Sequence, residues 1–206
     1  MFGDDFIQRA LTAGPAILFA LTIHEYSHAW AALRFGDSTA RDMGRLTLNP
    51  MAHLDLWGTL MMVMSQFRFG WAKPVPVNHA NLRGNPRVAD FWISLAGPAS
   101  NMTLAFVFGM MFRAFDGTGI LPEPIYMILF YCVFINIALA FFNLIPLFPL
   151  DGSHILRSVV SESYGPTLDS LDRVSPFILL ALVIMGGIWI VLGPIVGFFL
   201  WLLAGV

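Results

Sequence analysis

The sequence predicts an all-α polytopic membrane protein: a core of three transmembrane helices that carries the site, then one or more C-terminal helices, with a short β-prone or re-entrant region between the first and second core helices. Three observations predict it. Of 206 residues, 57% are hydrophobic and 12% charged, with a mean hydropathy of +0.73; a soluble domain carries about twice that charged fraction because its surface faces water. Four segments reach the roughly 20 apolar residues that a bilayer crossing needs. Inside the first of them sits His24-Glu25-Tyr26-Ser27-His28, although an ionisable side chain at that depth costs about 2.5–3.5 kcal/mol on insertion scales and so marks a functional site by default.

The four segments are residues 10–33, 91–112, 125–150 and 174–203. The first follows Asp4 and Asp5 where a signal peptide has a basic cluster, and it continues past the length of a signal-peptide core, so it is read as a retained helix. The last has no Asp, Glu, Lys or Arg. At about 1.5 Å per residue it exceeds one upright crossing, and Gly186-Gly187 or Gly193-Pro194 would break it into a span plus a shorter hairpin; one span and two both remain open. Leu56 to Phe67 is a shorter apolar piece, of re-entrant or interfacial length. Chain 1–206 is expected to form a single membrane-embedded domain.

Charge placement orients these elements. Arg34, Arg41, Arg45, Arg68, Lys73, Arg83 and Arg87 lie between the first two long segments, whereas the 113–124 connection has only Arg113. If 56–67 does not cross, all seven share one side, which the positive-inside rule makes cytoplasmic. Residues 34–90 and 151–173 are then cytoplasmic and the N-terminus lies outside. Within that region Arg45-Leu46-Thr47-Leu48 and Lys73 to Asn78 look like short strands, the second confined to a sheet edge by Pro74 and Pro76. A net charge of −2 without a basic stripe gives no sign of a nucleic-acid partner. The single cysteine, Cys132, excludes an internal disulfide or a cysteine zinc cluster.

His24 and His28 are four apart, so on a helix they share a face and can bind one zinc ion, while Glu25 beside them can take a proton from water, as in His-Glu-x-x-His hydrolases. The plain alternative is a set of polar residues satisfied by neighbouring helices. A catalytic zinc keeps three protein ligands and an open position. Asp116 and Glu123 fall on the outer side; Asp151 and His154 fall on the side of the His-Glu end. The latter pair follows Asn143-Leu144-Ile145-Pro146-Leu147-Phe148-Pro149, where two prolines stop a regular helix and leave backbone groups that only protein or a water-filled cavity tolerates. Gly152 permits a turn that aims Asp151 inward. His53 and Asp55 read as an interfacial cap, a gate or extra ligands, His79 as solvated, Met61, Met62 and Met64 as packing, and Trp30, Trp57 and Trp71 as interface anchors.

His24 to His28, Ala96-Gly97-Pro98-Ala99-Ser100-Asn101 and Asn143 through Gly152 together resemble the three signature blocks of the site-2 protease family, the intramembrane zinc metalloproteases. Gly44 to Pro50 and Gly70 to Asn78 resemble its short prokaryotic branch, without PDZ or CBS domain, and the likeness covers roughly residues 8–160. The resemblance implies that His24, His28 and Asp151 bind one Zn2+ ion, that Glu25 is general base and then proton donor, and that Asn143 binds substrate or steadies the oxyanion. Asn101 would be structural or substrate-orienting. It also implies core helices crossing in alternating directions, and hydrolysis of peptide bonds within or near transmembrane segments of membrane-protein substrates. Membrane lipids are the other expected partner, a prokaryotic plasma membrane is the expected location, and the active site is expected nearer the cytoplasmic side. An unwound substrate segment is expected to pair with the edge strand at 45–48 or 75–77. A divalent-metal transporter and a non-catalytic membrane binding module are the alternative functions; the first leaves Glu25 without a task.

Overall fold

The structure, a computed structural model, describes residues 4–67 and 69–206; Arg68, counted above among the basic residues, lies outside them. Eight α-helices account for most of the described chain: α1 (Asp4–Arg34), α2 (Thr39–Asp42), α3 (Leu56–Met64), α4 (Pro86–Phe115), α5 (Glu123–Asn143), α6 (Asp151–Val159), α7 (Gly165–Ile184) and α8 (Gly187–Ala204). Among the described residues, four stretches are long and apolar enough to cross a membrane: Phe6–Arg34, Pro86–Phe115, Glu123–Asn143 and Gly187–Ala204. The protein is therefore an all-α, multi-pass membrane protein.

Helix ends follow local chemistry. The side chain of Asn85 accepts from the Arg87 N–H, and Pro86 occupies the first turn, where a missing N–H leaves no bond unmade. Helix α5 stops at Asn143, short of the expected end at 150, because Pro146 and Pro149 cannot donate to a continuing helix and disfavour helical backbone in the residue before them. The long C-terminal run divides into α7 and α8. Met185 caps α7, and Gly186 turns the chain at φ 70°, a left-handed conformation that glycine adopts without steric penalty. Helix α7 begins with a charged segment in which Asp169 and Asp172 pair with Arg157 of α6.

Helix α4 is the hub, packing on α1, α5, α6 and α8. Ala31 and Ala32 of α1 pack with Ala89 and Ile93 of α4, and small residues of this kind let membrane helices approach closely when lipid is as apolar as the core. The largest apolar cluster joins α4, α5 and α8 through Phe112, Leu129, Val133, Ile137, Leu192 and Val196. The Arg83 N–H donates to the Phe35 carbonyl at 2.7 Å, which brings the start of α4 back to the end of α1.

The two expected strands do not form. Among the described residues there is no strand, only an isolated antiparallel bridge between Leu54 and Ala72. The physical reason lies in where the backbone groups go. Pro74 and Pro76 have no N–H, the carbonyls of Lys73 and Pro74 accept from the Arg45 guanidinium, and the Thr47 carbonyl is engaged by His53. The bridge, with the Lys73 N–H donating to the His53 carbonyl at 2.8 Å, closes the neck of a hairpin that contains α3. Gly58 and Gly70 allow its halves to touch: a Cβ on Gly58 would lie 2.1 Å from the Trp71 carbonyl oxygen.

Candidate active site

The middle of α1 carries the polar residues inward. His24, Glu25 and His28 are all buried, and each imidazole is fixed through its Nδ1 atom. His24 Nδ1 lies 2.6 Å from Asn101 Oδ1, and His28 Nδ1 lies 2.7 Å from the Ile93 carbonyl. The Asn101 amide group donates to the Ala20 carbonyl and to Asn136 Oδ1, and Asn136 donates to the Cys132 carbonyl. With its donors so committed, Asn101 presents its oxygen to His24, which must therefore carry its proton on Nδ1. The Ile93 carbonyl fixes the same tautomer on His28.

In the neutral imidazoles both Nε2 atoms then carry the lone pair, and they face each other at 3.0 Å. Asp151 Oδ2 completes the triangle, 3.2 Å from His24 Nε2 and 3.3 Å from His28 Nε2. Asp151 Oδ2 is buried and receives no hydrogen bond, which fits neutral imidazoles with no proton on Nε2 to give. Three converging lone-pair donors without protons repel one another unless a cation lies between them. Ligands at about 2.0–2.1 Å from a tetrahedral zinc stand about 3.3 Å apart, close to the 3.0, 3.2 and 3.3 Å found. His24, His28 and Asp151 are the group of metal-ligating side chains that converges in this way among the described residues.

Two glycines permit the approach. A Cβ on Gly97 of α4 would sit 2.4 Å from His28 Nε2 and 2.7 Å from His24 Nε2, so only glycine lets α4 pass so close to the imidazoles. A Cβ on Gly152 would lie 2.4 Å from the carbonyl oxygens of both Leu144 and Ile145. Gly152 is helical, within the first turn of α6, so its use is close packing of α6 on the 144–150 turn and not the turn conformation expected from sequence.

The remaining candidates are placed as follows. Glu25 Oε2 accepts a hydrogen bond from the Val75 N–H at 3.0 Å. Asn143, at the end of α5, donates from Nδ2 back to the Leu139 carbonyl. Asn101 is fully buried behind His24. His154 stands beside Asp90, 3.6 Å away, and His79 pairs with the same carboxylate at 3.0 Å; the neighbouring Asp90 carboxylate raises the His154 pKa above its ordinary value. Asp55 caps α3 by accepting from the Gly58 N–H, and His53 is buried against the Thr47 carbonyl. Sequence reasoning passed over Gly97, Asn136 and the hold of Arg45 on Lys73. Asn136 had left a sign: it is a lone amide in the apolar run from Ile125 to Phe142, where a polar side chain needs an interhelical partner.

Beside the site lies an apolar cavity of about 420 Å³ lined by Ile17 and Leu21 of α1, Met62 and Phe67 of the hairpin, Leu139 of α5 and Trp189 of α8 among others. Ile17, Leu21, His24 and His28 fall at helical spacing on one stripe of α1, so the cavity opens on the helix face that bears the histidines.

Comparison with known proteins agrees with this geometry. The model of Peptidase family M50 matches residues 114–186, a stretch that holds Asn143 and Asp151. YwhC of Bacillus subtilis (strain 168) is 38% identical over 188 residues, covering 79% of this chain and 81% of that protein. Zinc metalloprotease MJ0392 of Methanocaldococcus jannaschii is 26% identical over 155 residues, covering 73% of this chain and 36% of that protein. Rip2 of Mycolicibacterium smegmatis is 29% identical over 143 residues, covering 66% and 52% respectively. All three names describe zinc metalloproteases. No solved structure matches the chain significantly. Similarity to YwhC along most of both chains, together with the family-model match, makes this chain a member of peptidase family M50, the site-2 protease family.

Proposed function

We propose that this chain is an intramembrane zinc metalloendopeptidase of the His-Glu-x-x-His type, acting on peptide bonds within or near transmembrane segments of membrane-protein substrates. The observation that carries the reading is the convergence of His24 Nε2, His28 Nε2 and Asp151 Oδ2, each an unprotonated donor, beside the buried Glu25 in a bundle of membrane-length helices. Zinc names on the relatives support the choice of metal.

His24, His28 and Asp151 would hold the ion. Zinc bound there would supply Lewis acidity to a substrate carbonyl and lower the pKa of a water to about 7. Glu25 then takes the proton from the attacking water and returns it to the leaving amine. Asn101 and the Ile93 carbonyl keep the two imidazoles in the tautomer that ligation needs, and outer partners of this kind are worth about 10–100-fold in metal affinity. Asn143 closes α5 at the approach to Asp151 and is assigned to substrate or oxyanion binding. The apolar cavity, lined by Leu21 one turn of α1 before Glu25, gives side chains of an unwound transmembrane segment a place, in keeping with a substrate drawn from the bilayer.

The closed hairpin supports the topology read from charge placement. Leu54 and Ala72 are bridged, so 55–71 leaves and returns on one side of the membrane. Arg34, Arg41, Arg45, Lys73, Arg83 and Arg87 then share that side, which is cytoplasmic by the positive-inside rule. The reading is a single membrane-embedded domain, in a prokaryotic plasma membrane, with its active site nearer the cytoplasm. The test is purification in detergent and comparison of wild type, Glu25→Gln and Asp151→Ala for bound zinc and for cleavage of single-span model substrates. Wild type should bind zinc and cleave, Glu25→Gln should bind zinc without cleaving, and Asp151→Ala should lose zinc. Wild type that cleaves none of the substrates, or that takes up no zinc, overturns the reading.

A further inference from the structure

Residues 73–77, Lys73-Pro74-Val75-Pro76-Val77, form an extended strap pinned at both ends across the His-Glu helix. At its start the Lys73 N–H donates to the His53 carbonyl at 2.8 Å. The buried Arg45 guanidinium donates to the Lys73 carbonyl at 2.6 Å and to the Pro74 carbonyl at 3.3 Å. At its end the Asn78 N–H donates to Asp37 Oδ2 at 2.7 Å, and Asp37, just beyond α1, is fully buried and further held by Thr39 and Asn81. Prolines at 74 and 76 remove the donors on either side of Val75. The one N–H left between them points at Glu25 Oε2, 3.0 Å away.

We propose that the 73–77 strap is a positioning element for the catalytic carboxylate: the Val75 N–H orients Glu25, and Arg45 is the positioning residue that fastens the strap by its carbonyls. The inference rests on Glu25 being the general base. A glutamate has three rotatable side-chain bonds, and a base that must meet a water proton within about 2.6–3.2 Å loses effectiveness when it samples other rotamers. One oxygen bonded to a backbone donor on a doubly anchored strap restricts that freedom. The alternating prolines fit the same task, because with no N–H on either residue flanking Val75 a one-residue slip would leave the carboxylate facing no donor.

The test uses the full chain in detergent and a model substrate that wild type cleaves and Glu25→Gln does not, so that failure of the general-base assignment is seen separately and first. Val75→Pro deletes the donor, Val75→Ala keeps it, and Arg45→Gln loosens the strap without touching Glu25. The readouts are zinc per chain, kcat and KM. Val75→Pro is expected to lower kcat about 10- to 100-fold, as loss of a charge-assisted hydrogen bond at the base implies, with zinc content and KM close to wild type. Val75→Ala, which keeps the donor, should fall well short of that loss, and Arg45→Gln should lower kcat in the direction of Val75→Pro. A rise in kcat in Val75→Pro would make the strap an inhibitory cover and overturn the proposal. So would a change confined to KM, or loss of zinc in both Val75→Pro and Arg45→Gln, which would make the strap a purely structural brace.

Discussion

Replacing Gly97 by alanine adds one methyl group at the point where α4 passes the metal cradle. The added Cβ would lie 2.4 Å from His28 Nε2, 2.6 Å from His24 Cε1 and 2.7 Å from His24 Nε2, where ordinary contact begins at 3.4 Å. The imidazole of His28 must therefore retreat by about 1 Å, against a tolerance of about 0.2 Å in metal–ligand distance. It cannot rotate aside cheaply, because its Nδ1 atom is bonded to the Ile93 carbonyl on the same helix as the new methyl group. Helix propensity works in the opposite direction, since alanine is better than glycine in a helix interior by about 1 kcal/mol. The expected result is a chain that folds and extracts into detergent like wild type but binds zinc at least about 100-fold more weakly, with activity lost in parallel. Metal analysis after dialysis against a graded chelator, beside a thermal unfolding scan, measures both. Stoichiometric zinc in Gly97→Ala at wild-type affinity would refute the cradle geometry.

Asn101→Ala removes the acceptor that fixes the His24 tautomer, and chelator competition should show metal affinity lower by about 10–100-fold. Asn136→Leu leaves an Asn101 donor unpaired in the bundle interior; thermal unfolding should show a loss of about 1–3 kcal/mol with the zinc ligands intact. Asp37 is a pH-dependent anchor: burial alone would raise its pKa, but hydrogen bonds from Thr39, Asn81 and Asn78 outweigh burial and hold it below the ordinary value of 3.8. A depressed folded pKa means stability that is present above about pH 4 and lost as pH falls below it. Unfolding scans from about pH 5 down to about pH 3 should show Asp37→Asn less stable at the upper end and flatter with pH than wild type.

Much of the site was legible because the membrane makes polar residues conspicuous. His24, Glu25 and His28 stand out in an apolar helix, and Pro146 and Pro149 announced a broken segment before Asp151. The geometry then set Asp151 apart from His154, which turns to Asp90 instead. What the sequence hid was mostly backbone. A strand was expected at Lys73 to Asn78 because its residues suit an edge, but the partner it finds is the Arg45 side chain on one side and Glu25 on the other. Pattern reading sees propensity and not which group will claim a carbonyl. Gly97 was visible only as one letter of a block, since nothing in a linear sequence says that its missing Cβ faces two histidines 69 to 73 positions earlier. The α7–α8 break at Gly186 needed the observed φ of 70° to choose between two glycine-containing candidates.

The most direct test of the central claim is the zinc content and peptide-bond cleavage of Glu25→Gln beside wild type, in the same detergent and with the same single-span substrate. The account predicts equal zinc in both and a turnover lower by at least about 10²-fold in the variant, the low end of what a positioned acid–base group contributes. Equal zinc with undiminished cleavage would contradict it, since Glu25 would then have no part in moving the proton.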